Sequence, residues 1–167
     1  MMKQFQMDDI VLYGINGVCR VSTIEKREQG SYYILTPVHK DRTKLFVPTN
    51  NELLVDRMRP MPTKQHVTAC IHKALETEPK WISDTSTRKA HAKEVLTSGD
   101  EYDVLMLARS FHQHRTRVID AGKKTTSSDN SILRSAMNHI RDEFSIALDI
   151  EPDEVDSFIG SQDTVQA

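Results

Sequence analysis

The side chains best suited to hold a metal or act as nucleophiles are seven histidines and two cysteines. His66 and Cys70 stand four apart on a predicted helix, which sets both on one face with His72 nearby. His112 and His114 are two apart and point to different faces. No cysteine pair and no His-Glu-x-x-His pattern completes a site, so Cys70 reads as a small core residue. The six glycines are scattered and form no phosphate-cradling loop, and no Gly-x-Ser-x-Gly elbow is present. Glu76 with Glu78, and Glu151 with Asp153 and Glu154, fall at exposed helix ends, where acids near an N-terminus are favoured electrostatically. The expectation is a protein with no catalytic constellation, no metal and no cofactor.

The basic residues carry more of the chemistry. Arg88, Lys89 and Lys93 share one predicted helix, and Arg109, Arg115, Arg117, Lys123 and Lys124 lie on the next helix and the loop after it. Such a set either contacts phosphates, which positions a protein on nucleic acid without reading sequence, or forms a solvated helix face with salt bridges. Net charge is −2, but it is unevenly spread. Residues 1–60 carry nine Lys/Arg and seven Asp/Glu, residues 61–149 carry 13 and 12, and residues 150–167 carry none and five. The acidity sits in the tail, and the mildly basic body permits a phosphate-contacting patch without demanding one. Trp81, the only tryptophan, opens the helical region.

Two halves with different periodicities must position these residues. Residues 8–60 alternate in short apolar runs: Ile10–Tyr13, then Val18, Val21 and Ile24, then Tyr32–Leu35, then Lys44–Pro48. Turns are predicted at Ile15-Asn16, Gln29-Gly30 and Asp41-Arg42. Short strands at about ten-residue spacing suggest a small barrel or sandwich. Two prolines, Pro60 and Pro62, then make a stiff junction. Thr63 is a plausible N-cap for a helix to about Thr77, and a second helix falls within 84–97. Asp100 caps a third, with Val104, Leu107, Ala108, Phe111 and Val118 inward. Ser128 or Asp129 caps a fourth, with Ile132 or Leu133, Ala136, Met137, Ile140, Phe144 and Leu148 inward. Glu151-Pro152 starts a short fifth helix. The fold class is α+β: a small β-barrel over 1–60, an all-α helical bundle over 61–160, and a disordered tail over 161–167. The cysteines are too few for a disulfide framework. No run spans a bilayer and the N-terminus turns polar at once, so a cytoplasmic protein without membrane contact is expected.

Several ordered motifs resemble the CarD/CdnL family of bacterial transcription regulators. They are Asp8–Val18 with its Tyr13-Gly14 and Gly17-Val18, Glu25–Glu28 followed by Gly30 and Tyr32–Leu35, and Lys44–Pro48. In the helical half they are Leu96–Asp100, Gly122–Lys124 followed by Ser128-Asp129, and Glu143-Phe144 with Ala147-Leu148. The same β module also occurs in transcription-repair coupling factors, beside helicase motifs that this chain lacks.

The resemblance implies a Tudor-like barrel that docks on the RNA polymerase β subunit and a helical half that contacts upstream promoter DNA, largely without sequence specificity, stabilising the open complex. On these residues it implies polymerase contacts at Arg27, with Glu25 and Lys44 beside it, and at Phe46, which either packs on the partner or faces the barrel core. It implies DNA contacts at Trp81, Thr85, Arg88, Lys89, Lys93, Lys123 and Lys124. Trp81 is either a minor-groove wedge or a packing residue, since the wedge position of one branch of the family falls nearer Thr85. The expected state is a nucleoid-associated monomer, whose exposed barrel edge can pair between molecules in a crystal. The rival reading is an adaptor on polymerase that makes no direct DNA contact.

Overall fold

The computed structural model describes residues 3–38 and 42–163, in two compact units, Met1–Met61 and Pro62–Ala167. The first unit is an antiparallel sheet of β1 (Ile10–Tyr13), β2 (Val18–Arg27), β3 (Gly30–Pro37), β4 (Leu45–Pro48) and β5 (Met58–Pro60), in the order β4-β3-β2-β1-β5. A single helical turn at Gly14–Asn16 joins β1 to β2 and ends on Gly17, whose φ of +70° suits a residue without a Cβ. A bulge between Val21 and Thr23 lets the ten-residue β2 bend while still pairing with both neighbours. Val11, Cys19, Val21, Tyr33, Leu35 and Val47 point to one side and are buried there, as period-two alternation requires.

That core is covered by two elements absent from the sequence expectation. Helix α1 (Glu52–Asp56), capped by the Asn51 side chain accepting from the Leu54 N–H, brings in Val55. Strand β5 brings in Met58 and pairs with β1. A five-residue helix is shorter than any periodicity window. A three-residue edge strand tolerates Pro60, because an outward-facing N–H has no ladder partner to lose. The pairing corrects the expected closed barrel: β4 and β5 are the two edges, and among the described residues they do not pair. Asp41, half of the expected Asp41-Arg42 turn, lies outside the described residues.

The second unit holds α2 (Lys64–Glu76), α3 (Thr85–Ser98), α4 (Glu101–Asp120), α5 (Ser127–Leu148) and α6 (Val155–Gln162). Side-chain caps from Thr63, Asp84, Asp100 and Thr126 start the first four. Gly99, at φ +69°, ends α3 with its N–H on the Val95 carbonyl. The core gathers Val67 and Ile71 of α2, Val95 of α3, Val104, Leu107 and Phe111 of α4, and Leu133, Ile140, Phe144 and Leu148 of α5. Each large apolar side chain buried this way contributes about 1.5–3 kcal/mol. Two expectations are corrected. Thr126 caps α5, in place of Ser128 or Asp129, so Asp129 sits inside the first turn and is free to make another bond. Helix α6 includes Ser161 and Gln162, which were expected in a disordered tail, while residues 164–167 lie outside the described part. Among the described residues no helix is long and apolar enough to cross a membrane.

Candidate functional site

Strand register decides what faces outward on the sheet. Glu25 pairs with Tyr32 and Arg27 with Gly30, while Tyr32 pairs with Pro48 and Ile34 with Phe46. Opposed residues of antiparallel strands share a face, so Glu25, Arg27, Tyr32 and Phe46 lie together on the side away from the core. Leu45 and Val47 take the inner positions of β4, and Phe46 is left 47% exposed. This settles the alternative left open for Phe46: it does not enter the core. Gly30, opposite Arg27, has no side chain to obstruct the guanidinium. Arg27 lies 5.6 Å from the Tyr32 ring centroid and 5.0 Å from that of Phe46, and its Nε donates to Glu25 Oε1 at 2.7 Å. This hydrogen bond holds the Glu25 carboxyl below its ordinary range, and nearby Lys44 acts in the same direction. All four sheet residues named from the sequence, Glu25, Arg27, Lys44 and Phe46, therefore belong to one neighbourhood. Tyr32 was missed, although strict alternation from buried Tyr33 would have found it. A planar cation resting between two rings beside an exposed edge strand is suited to a protein partner.

The helical unit distributes its expected contact residues differently. Arg88 is 7% exposed and wholly engaged within the unit. Its Nε and Nη2 donate to the two carboxylate oxygens of Asp129 at 3.1 and 3.3 Å, and Nη1 donates to the carbonyls of Ile82 and Ser83. The expected phosphate contact by Arg88 is therefore corrected: a guanidinium with these partners pins α3 to the first turn of α5. Trp81 belongs to the same brace. His114 stacks on its ring at 3.7 Å with an interplanar angle of 4°, and Phe111 meets it edge-on. So close a stack leaves the other face for the Arg88 guanidinium, 4.6 Å from the ring centroid. Of the two roles left open for Trp81, this geometry fits packing, since the half-buried ring packs against α4 and Arg88 rather than standing free. Sequence could not see this, because Arg88 and Asp129 are 41 residues apart.

Thr85, Lys89 and Lys93 do lie exposed at helical spacing on one face of α3, and Lys123 and Lys124 are exposed in the loop before α5. Among the described residues these lysines have no ion-pair partner. Arg109 of α4 is instead spent on the carbonyls of Ala74 and Thr77.

The buried acids are not the pairs that sequence singled out. Glu101 at the start of α4 and Glu143 of α5 are 4% and 1% exposed, and His139 Nε2 lies 2.8 Å from Glu143 Oε2. Burial raises the Glu143 carboxyl above its ordinary range; neighbouring Glu101 adds to this, and His139 opposes it. Glu143 sits within the Ile140–Phe144 stripe, so helical spacing alone would have flagged it. His66 Nε2 contacts Cys70 Sγ at 3.5 Å and Glu101 at 3.8 Å, and among the described residues no three ligands are arranged for a metal.

Comparison with known proteins gives one finding on this geometry. Residues 5–60 match the family model of the CarD-like/TRCF RID domain, a third of the chain and nearly all of the sheet unit. That domain is an RNA polymerase-interacting domain whose family binds the polymerase β subunit, which gives the sheet unit a transcription-related interaction role. No curated protein matches the chain.

Proposed function

We propose that this chain is a CarD/CdnL-type transcription regulator that docks on the RNA polymerase β subunit through the outer face of its sheet and contacts upstream promoter DNA with its helical unit, stabilising the open complex. The observation that carries the proposal is the exposed Arg27–Tyr32–Phe46 cluster on the unit that matches the RID model. Arginine and aromatic side chains set against one another in this way anchor interfaces well. The bulge in β2 is compatible with the Tudor-like coiling that the resemblance implies. The role is one of binding, not catalysis, in the cytoplasm at the nucleoid. Tethering to polymerase raises the effective concentration of the helical unit near DNA, so weak phosphate contacts from Lys89, Lys93, Lys123 and Lys124 suffice.

A second reading, an adaptor without DNA contact, gains support from the withdrawal of Arg88 and Trp81 into the interior. Open-complex lifetime separates the two. Full-length chain should lengthen it on a promoter, and Lys89→Glu with Lys93→Glu, or Lys123→Glu with Lys124→Glu, should shorten it again while polymerase stays bound. An unchanged lifetime in both charge-reversed proteins, with polymerase binding intact, would favour the adaptor.

A further inference from the structure

The most strongly basic stretch of the chain is not on α3. Residues 109–141, from the second half of α4 through most of α5, carry seven Lys/Arg against two Asp/Glu, in a chain of net charge −2. One of those two acids, Asp129, is buried against Arg88, which lies outside the stretch. A groove of about 450 Å³ follows the α4–α5 seam, lined by His112 and Arg115 from α4 and by Asn130, Arg134, Met137 and Arg141 from α5. Asn130, Arg134, Met137 and Arg141 recur at helical spacing and form one stripe. At one end Arg141 is neutralised by a two-pronged bond to Asp156 at 2.8 and 3.1 Å. Arg115 and Arg134 are exposed, and among the described residues neither has an ion-pair partner.

We propose that this seam grips backbone phosphates of duplex DNA, with Arg115 and Arg134 as the paired donors and His112 and Asn130 as further donors beside them. The assignment rests on the DNA-contacting reading above and moves its main contact from α3 to α4–α5. The chemistry favours phosphate over an acidic protein. Guanidinium forks match phosphate oxygens two at a time, and Asn130 adds a neutral donor. Among the described residues the groove's apolar lining is limited to Leu133, only 6% exposed, and half-buried Met137, with no phenylalanine, tyrosine or tryptophan ring to serve as an anchor. Beyond Asn130 the chain between α4 and α5 carries exposed Lys123 and Lys124, which extend the positive charge at that end of the two helices.

The test is binding of full-length protein to a short, fluorescently labelled mixed-sequence duplex, titrated between about 50 and about 200 mM salt. Each phosphate contact contributes about 0.9 to the slope of log K against log salt, so Arg115→Gln with Arg134→Gln should flatten the slope by about 1.8 and weaken binding at low salt about tenfold. Both side chains are exposed, and an unchanged thermal melt verifies the fold. Lys89→Gln with Lys93→Gln should change the slope less. The inference is overturned if the arginine variant keeps the wild-type slope while the lysine variant loses it, which would leave DNA contact standing but return it to α3. No salt-dependent duplex binding by the wild type would overturn the inference and the DNA reading together. Binding of a labelled poly-glutamate in place of duplex would reassign the seam to an acidic protein partner.

Discussion

Removing Arg88 should destabilise the helical unit rather than merely weaken nucleic-acid contact. Arg88→Met keeps much of the aliphatic stem but leaves Asp129, 9% exposed, as a buried carboxylate without its cation. It also strips two backbone carbonyls, Ile82 and Ser83, of their donor and removes the charge lying over Trp81. Breaking a buried pair by deleting one partner costs about 3–5 kcal/mol. A domain of this size has about 5–15 kcal/mol in total, and each kcal/mol moves Tm by about 4–8 °C, so a fall of at least about 12 °C is expected. Adding Asp129→Leu removes the stranded charge, and the double variant should recover most of the loss, because an apolar replacement of a buried pair is often neutral. Urea unfolding followed by the fluorescence of Trp81 is the appropriate assay, since the single tryptophan sits inside the brace and reports on this unit alone. A single variant within about 1 kcal/mol of wild type, the range of an exposed charge, would refute the brace, as would a double variant as unstable as the sum of its singles.

Other consequences follow from the same geometry. Because burial raises the Glu143 carboxyl, its neutral form suits the fold: the contribution is complete below the unfolded-state value and is lost as pH rises through the folded one. Urea midpoints should therefore show wild type losing stability relative to Glu143→Gln on going from acid to mildly alkaline pH, and a wild type that gains on Glu143→Gln as pH rises would contradict this. Thr126→Ala should cost about 1 kcal/mol by removing the true cap of α5, whereas Ser128→Ala should cost almost nothing; the reverse order in thermal melts would restore the cap expected from sequence. The Cys19 thiol is fully buried and pushed up to about 11 by burial, so a disulfide reagent at mildly alkaline pH should label it only after unfolding, and rapid labelling of native protein would reject its placement.

The legible parts of this fold are those written in local periodicity. Val104, Leu107 and Phe111 recur at helical spacing and were placed inward from sequence alone, while the runs holding Tyr33, Leu35 and Val47 were read as strands whose alternation carries those residues into the sheet core. What escaped was short or non-local. Val55 and Met58 are essential to the sheet core, yet their helix and strand are too brief to show a period. Arg88 lies on a strongly polar helix, and the distant Asp129, released by an earlier cap than expected, joins the Ile82 and Ser83 carbonyls and Trp81 in holding it inside. The sheet surface was the more readable site, because Glu25 and Arg27 on β2 and Phe46 on β4 flank β3, and strand alternation fixes their side. The α4–α5 seam needs two helices brought together, so Arg115 and Arg134 look unrelated in the sequence.

The most direct measurement is the affinity of the full-length protein for the isolated polymerase β lobe, compared with Arg27→Glu and with Phe46→Ala. Both side chains are exposed, so neither change should shift the thermal melt. Loss of a central interface anchor costs about 2 kcal/mol or more, so each variant should bind about 30-fold or more weakly than wild type. Equal affinity of wild type and both variants would contradict docking through this face, and the absence of any binding by wild type would contradict the polymerase assignment itself.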